Sequence, residues 1–289
     1  MSGVPWEPIR VGPRLFEAPG PFVIGVLNLT PDSFSDGGRF LEPDAAVGRA
    51  LALAAEGADL LDVGGESTRP GSAPVAADEE IRRVVPVLER LRALGYPVPV
   101  SVDTTKAEVA RAALAAGAVL VNDVRGLVDP ALAAVVAEAG VPVVLMHMRG
   151  TPRDMQARAV YRDVTAEVQD ELGQALARAE QAGVARERTI LDPGIGFAKT
   201  AEQSLELLAR LPELHALGRP LLVGPSRKSF IGAVTGAPVE ERLPGTLAAV
   251  AVAVRAGAAF IRVHDVAAAR QAARVAAAIR DAVPRAGTK

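Results

Sequence analysis

The sequence predicts an α/β fold, a (βα)8 TIM barrel, on three observations. Eight short apolar runs each close on a polar group, at Asn28, Asp62, Asp103, Asn122, His147, Asp192, the turn Gly224-Pro225-Ser226 and Arg262. Seven glycines, Gly57, Gly95, Gly117, Gly140, Gly183, Gly218 and Gly257, each end an Ala-rich stretch of helical period and precede an apolar run. Glycine just past a helix adopts the left-handed conformation that stops it, so each junction reads as an αβ turn. The runs are also apolar nearly throughout, as parallel strands buried on both faces must be. Eight uninterrupted units favour closure over an open sheet, and 289 residues suit one barrel domain.

The elements follow in order. Residues 1–20 form a short N-terminal extension expected to cover the bottom of the barrel. The first strand ends at Asn28 and leads into a long loop, LTPDSFSDGGRFLEP (29–43), before a helix over 44–56. ADLLDV ends at Asp62 and opens a second long loop, GGESTRPGSAPVAA (64–77), before a helix over 78–94. PVPVSV ends at Asp103 with a helix over 106–116, and AVLVND contains Asn122 with a helix over 130–139. VPVVLM runs to His147, then MRGTPRDMQARAV (148–160) and a helix over 161–182. The sixth strand ends at Asp192 with a helix over 201–211; the seventh ends in GPSRKSFIGAVTGAPVE (224–240) before a helix over 243–256. The eighth ends at Arg262 before a helix over 266–282. Long Gly/Pro-rich loops at a barrel mouth predict two lids.

Composition narrows the function classes. Net charge is −2, which offers no basic face for nucleic acid. There is no cysteine, so disulfides and thiolate metal sites are excluded. No run reaches the roughly 18 apolar residues of a membrane span, and residues 1–20 lack a signal-peptide pattern. A cytoplasmic protein is expected. Arginine outnumbers lysine 28 to 4, which singles out the internal Lys106, Lys199 and Lys228.

The strand ends carry the chemistry. Asp103, Asn122 and Asp192 would offer matched acceptors and donors to a flat, nitrogen-rich ring, one carboxylate pairing two ring N–H groups. The alternative is helix capping for one or more of them. Arg262 and His264 alternate at the end of the eighth strand, and residues i and i+2 face the same way. With Lys228 of GPSRKS they suggest a phosphate or diphosphate site, where barrels often hold one. The alternative for Arg262 is an internal salt bridge with Asp265 or Asp62. His147 reads equally as a site residue or a packed histidine. Asn28, Asp32 and Asp36 offer hard oxygens suited to Mg²⁺ shared with a substrate phosphate. GPSRKS is not a P-loop, PGIGF is not a dinucleotide fingerprint, and the three histidines lack zinc spacing.

The ordered motifs NLTPDSFSDGG, DVGGESTRPG, SVDT, VNDV, LMHMRGTP, DPGIGF, GPSRKS and RVHDV, over about residues 22–266, resemble the dihydropteroate synthase family of pterin-binding barrels. The resemblance implies condensation of 6-hydroxymethyl-7,8-dihydropterin diphosphate with p-aminobenzoate to 7,8-dihydropteroate and diphosphate, competition by sulfonamides, Mg²⁺ as cofactor and a homodimer. It implies pterin contacts at Asp103, Asn122, Asp192 and Lys228, and diphosphate contacts at Asn28, Thr68, Arg262 and His264, with Asn28 also a metal ligand. Phe34, Arg69, Pro70 and Ser229 resemble the p-aminobenzoate wall, and Lys228, Arg262 and His264 the catalytic groups. Ala198 stands where glycine is the more usual residue. Two other readings share the pterin carboxylates. A methyltetrahydrofolate–corrinoid methyltransferase would need no diphosphate site, and a non-catalytic paralogue would lose anion or lid residues.

Overall fold

A computed structural model describes residues 6–30 and 43–282. Eight parallel strands line the interior: β3 (Phe22–Asn28), β4 (Leu60–Gly64), β5 (Val100–Asp103), β6 (Leu120–Asp123), β7 (Val143–Met146), β8 (Thr189–Asp192), β9 (Leu222–Val223) and β10 (Phe260–Val263). They pair in the order β8-β7-β6-β5-β4-β3-β10-β9. A parallel bridge between Leu191 and Leu221 joins the two ends, so the barrel is nearly closed.

The helices are α1 (Pro43–Ala55), α2 (Ala77–Ala93), α3 (Ala107–Ala116), α4 (Pro130–Ala139), α5 (Val164–Gln181), α6 (Ala201–Ala209), α7 (Ser229–Thr235), α8 (Leu243–Arg255) and α9 (Val266–Asp281). Eight match the sequence expectation within a few residues. The seven glycines at the αβ turns all take positive φ. Among the described residues no helix is long and apolar enough to cross a membrane.

Two cores result. Helix faces rich in Ala, Val and Leu pack on the outer face of the sheet. Inside, the N-terminal ends of the strands contribute Ile24, Leu60, Leu120, Val144, Ile190, Leu222 and Phe260 to one apolar layer. A hairpin of β1 (Ile9–Val11) and β2 (Arg14–Phe16) closes that end, burying Ile9, Val11 and Phe16 against the layer. Phe16 meets Phe22 edge-on at 4.8 Å and Phe260 at 5.4 Å between ring centroids. Two residues further along the strands the interior turns polar, at Asp62, Asn122 and Arg262. A packed floor with a polar mouth is what the strand period of two demands of such sequences.

Several expectations need adjustment. β4 continues past Asp62 to Gly64, which places Asp62 inside the barrel rather than at its rim. Small, flat Gly64 pairs with both Asn28 and Asp103, so the ladder can extend. β9 stops at Val223, because the Gly-Pro that follows breaks the ladder. The stretch 224–240 contains α7, a helix hidden by its length of seven residues and its internal Gly232. Capping is not the role of Asp103 or Asp192: Lys106 and Thr200 stand at the N-caps of α3 and α6. Ala198 has φ +50°, a left-handed conformation that explains the usual glycine there. Phe34, Asp32 and Asp36 lie outside the described residues, as does most of the first long loop.

Phe16→Ala should cost about 3–5 kcal/mol in urea unfolding, the scale for emptying a fully buried aromatic site. A loss under about 1 kcal/mol would mean that the hairpin is not part of the cooperative core.

Candidate active site

Asp62 is 1% exposed and lies near the middle of the barrel. Three donors converge on it. Ser101 Oγ donates to Oδ1 at 2.6 Å, Asn122 Nδ2 to Oδ2 at 3.0 Å, and Arg262 Nε to Oδ2 at 2.6 Å. Arg262 then reaches Asp103 with Nη2 at 2.8 Å. The salt-bridge alternative for Arg262 is therefore realised with Asp62; Asp265 pairs with Arg227 instead. Arg262 Nη1 makes no hydrogen bond among the described residues, so one edge of the guanidinium stays free for a ligand. Sequence reasoning offered Asp62 only as a possible salt-bridge partner of Arg262, yet it also locks the orientation of Asn122. Its only signal was a carboxylate inside an apolar run.

Asp103, Asn122 and Asp192 are all buried at the mouth. Burial raises the Asp103 carboxyl, and the Arg262 guanidinium opposes the shift. Burial likewise pushes Asp192 up to about 6, against the pull of the Gly194 N–H, which donates to Oδ1 at 2.7 Å, and of Lys228. Burial brings Lys228 down to about 8. Its ammonium sits 3.8 Å from the Phe197 ring centroid, a cation–π contact that supports the charge without fixing it to one carboxylate. Phe197 was not anticipated. Low dielectric makes each of these charges a strong partner for a bound ligand.

His264 follows β10. Its backbone N–H donates to Ser226 Oγ at 3.3 Å, and the Ser226 hydroxyl lies 2.9 Å from Nδ1. A hydroxyl donating to Nδ1 leaves Nε2 with its proton. Burial, then Arg262 and Arg227, lower His264 to about 4, so it is a neutral donor at pH 7. Asn28 ends β3, half-buried, with no side-chain hydrogen bond among the described residues.

Thr68 is half-buried, and Arg69 and Pro70 are exposed, in the loop after β4. Ser229 is exposed at the start of α7. These four share the mouth of the barrel but make no hydrogen bonds with one another among the described residues. His147 is a packed histidine: Nε2 meets Glu171 at 2.9 Å and Nδ1 meets Lys199 Nζ at 2.9 Å.

A family model for pterin binding enzymes matches residues 24–264. A dihydropteroate synthase of Synechocystis is 48% identical over 275 residues, covering 94% of this chain and 95% of that one. The Xanthomonas albilineans dihydropteroate synthase structure with 4-aminobenzoic acid superposes with a TM-score of 0.89 at 48% identity, covering 96% of this chain and 100% of that one. Its complex with 7,8-dihydropteroate gives 0.86 at 46% identity and the same coverage. With the motifs and the barrel geometry in agreement, the chain belongs to the dihydropteroate synthase family of pterin-binding enzymes.

Proposed function

We propose that the mouth of the barrel condenses 6-hydroxymethyl-7,8-dihydropterin diphosphate with p-aminobenzoate, and that its residues divide by role. The observation that carries this reading is the joint burial of Asp103, Asn122 and Asp192 beside Lys228 and Arg262. Buried carboxylates held apart from one another suit a ring with donors on several edges. Asp103, Asn122, Asp192 and Lys228 read the pterin ring. Arg262, through its free edge, and His264, through Nε2–H, hold the diphosphate with Thr68 and Asn28. Arg69, Pro70 and Ser229 line the p-aminobenzoate side at the rim; Phe34, outside the described residues, is assigned to the same substrate by the family resemblance alone.

The leaving diphosphate departs from a carbon attached to an electron-rich ring, so C–O cleavage can run ahead of attack. Arg262 and His264 stabilise the charge that develops on the leaving oxygens. The aniline nitrogen of p-aminobenzoate is unprotonated at neutral pH and needs no strong base, which fits a site with no activated nucleophile. The loops after β3 and β4 would exclude water from the reacting carbon.

Mg²⁺ fits as a substrate-borne ion. Asn28 offers one hard amide oxygen, and among the described residues no cluster of three acidic or histidine side chains forms an all-protein cage. When bound, the ion would neutralise diphosphate charge.

The α8/α9 face supports a homodimer: Val275 and Ile279 stand 61% and 48% exposed in an apolar groove with Leu247 and Ala251.

Purified protein should release diphosphate only when p-aminobenzoate and Mg²⁺ are both present; absence of coupled product would sink the assignment. In calorimetric titration, Asp192→Ala should weaken free pterin by more than about 1 kcal/mol, the scale for truncating a charge-assisted partner. Wild-type affinity should fall about tenfold per pH unit below about 6, since the ring needs the ionised Asp192 carboxylate. Arg262→Ala should hurt the pterin diphosphate more than free pterin; equal losses would contradict the anion role. Val275→Glu should shift sedimentation to a monomer, and an unchanged profile would place any interface elsewhere.

A further inference from the structure

Lys199 is 2% exposed and belongs to none of the ligand groups above. Its Nζ donates to the carbonyls of Gly194 at 3.1 Å and Phe197 at 3.0 Å, and meets His147 Nδ1 at 2.9 Å. All three ammonium protons are thus used. An ammonium has only donors, so Nδ1 must carry the lone pair, and the imidazole presents Nε2–H to Glu171. Glu171 is also gripped by Arg149 Nε at 3.0 Å. Burial alone would raise Glu171, but the His147 and Arg149 bonds outweigh it and hold it at about 2. The buried cation is therefore answered by a fixed anion through a neutral imidazole.

The two carbonyls bracket the turn after β8. Gly194 has φ +67°, and a Cβ there would fall 2.0 Å from the His147 carbonyl oxygen, so the turn lies hard against the end of β7. The same Gly194 supplies the N–H that orients Asp192, and Phe197 supplies the ring beneath Lys228. Tyr161 O–H adds a bond to the Ala198 carbonyl at 3.0 Å. A side chain that only filled volume would be apolar, because desolvation works against the ammonium here, pulling it down to about 7. Methionine, of similar length, would pack without that cost, but it would leave the Phe197 carbonyl without this donor and the Gly194 carbonyl with only the Phe197 N–H at 3.0 Å.

We propose that Lys199 is a positioning residue for pterin recognition. It fixes the turn 193–197 from beneath, and through that turn sets the Asp192 carboxylate and the Phe197 ring that supports Lys228. This rests on the reading of Asp192 and Lys228 as ring contacts.

The test is calorimetric binding of 6-hydroxymethylpterin, with steady-state KM for both substrates. Lys199→Met should weaken pterin about tenfold or more and raise the KM of its diphosphate, with the p-aminobenzoate KM held within about twofold. Arg219→Met is the control. Arg219 is as buried, at 4% exposed, and bonds the Thr189 and Glu187 carbonyls at the opposite end of β8. It should lower the melting temperature while leaving pterin affinity within about twofold. Phe197→Leu keeps the backbone carbonyl that Lys199 holds and removes only the ring; it should give the same selective loss, and it serves if Lys199→Met does not fold. Unchanged pterin affinity in Lys199→Met or in Phe197→Leu overturns the proposal, as does an equal loss in Arg219→Met. Asp192→Ala separates the two levels. If it also leaves pterin affinity unchanged, the ring assignment itself fails; if it costs affinity while Lys199→Met does not, only the positioning role fails.

Discussion

One buried carboxylate organises the interior of the barrel. Asp62 accepts from Ser101, Asn122 and Arg262, which stand on β5, β6 and β10, so a single side chain on β4 ties four strands together above the apolar floor. Desolvating a lone carboxylate costs several kcal/mol, and the Arg262 guanidinium with two neutral donors offsets it only when all are in place. The members of the network are thus interdependent. Removing Arg262 leaves the Asp62 carboxylate without its cation, and removing Asp62 leaves the Asn122 amide without this acceptor in low dielectric. That constraint holds Asn122 and Arg262 in fixed rotamers before any ligand arrives, which is the preorganisation that charge recognition requires.

The layering of the barrel makes this possible. Below Asp62 the interior is aliphatic and aromatic, sealed by the hairpin, so water reaches the polar groups only from the mouth. The same seal pushes Asp103 and Asp192 upward and Lys228 and His264 downward. The shifts share one leading cause, burial, which acts with opposite sign on acids and bases. Each charged group is therefore costly as it stands and gains when a complementary ligand group replaces lost water. The free edge of Arg262 and the Nε2–H of His264 are directed donors of this kind.

Much of this was legible in the sequence. The parallel barrel followed from apolar runs and the glycines that stop helices, since both signals are local. Asp103, Asn122, Asp192 and Arg262 could be singled out because a polar residue at the end of a buried strand has few reasons to be there, and His264 because it follows Arg262 by two. Asp62 was legible only as one possible partner of Arg262; its bonds to Ser101 and Asn122 depend on which strands neighbour β4, a fact that only the sheet order supplies. Phe197 escaped for a similar reason: nothing local distinguishes it from a packing residue. The helix α7 was missed because seven residues with an internal glycine give no clear period. The capping alternative for Asp103 and Asp192 gives way because Lys106 and Thr200 stand at the N-caps of α3 and α6.

The scarcity of lysine in an arginine-rich chain acquires a physical meaning at the loop bases. Lys106 bridges Glu66 and Glu80, and Glu66 Oε2 in turn accepts the Val75 N–H at 3.0 Å. The loop that carries Thr68, Arg69 and Pro70 is thereby pinned where it leaves and re-enters the barrel. Arg83 adds a bond to the Gly65 carbonyl at 2.9 Å, and Gly71 N–H joins the third loop through Pro152 at 2.9 Å. Lys199 repeats the device under the turn after β8, with Glu171 as the distant anion. In both places a compact ammonium gathers acceptors that converge from several directions. A planar guanidinium projects its donors in a fork and could not meet such a cluster within the same volume. Lysine therefore serves where acceptors converge on one point, carboxylates at Lys106 and carbonyls at Lys199, and arginine serves where two carboxylates stand apart, as Arg262 spans Asp62 and Asp103.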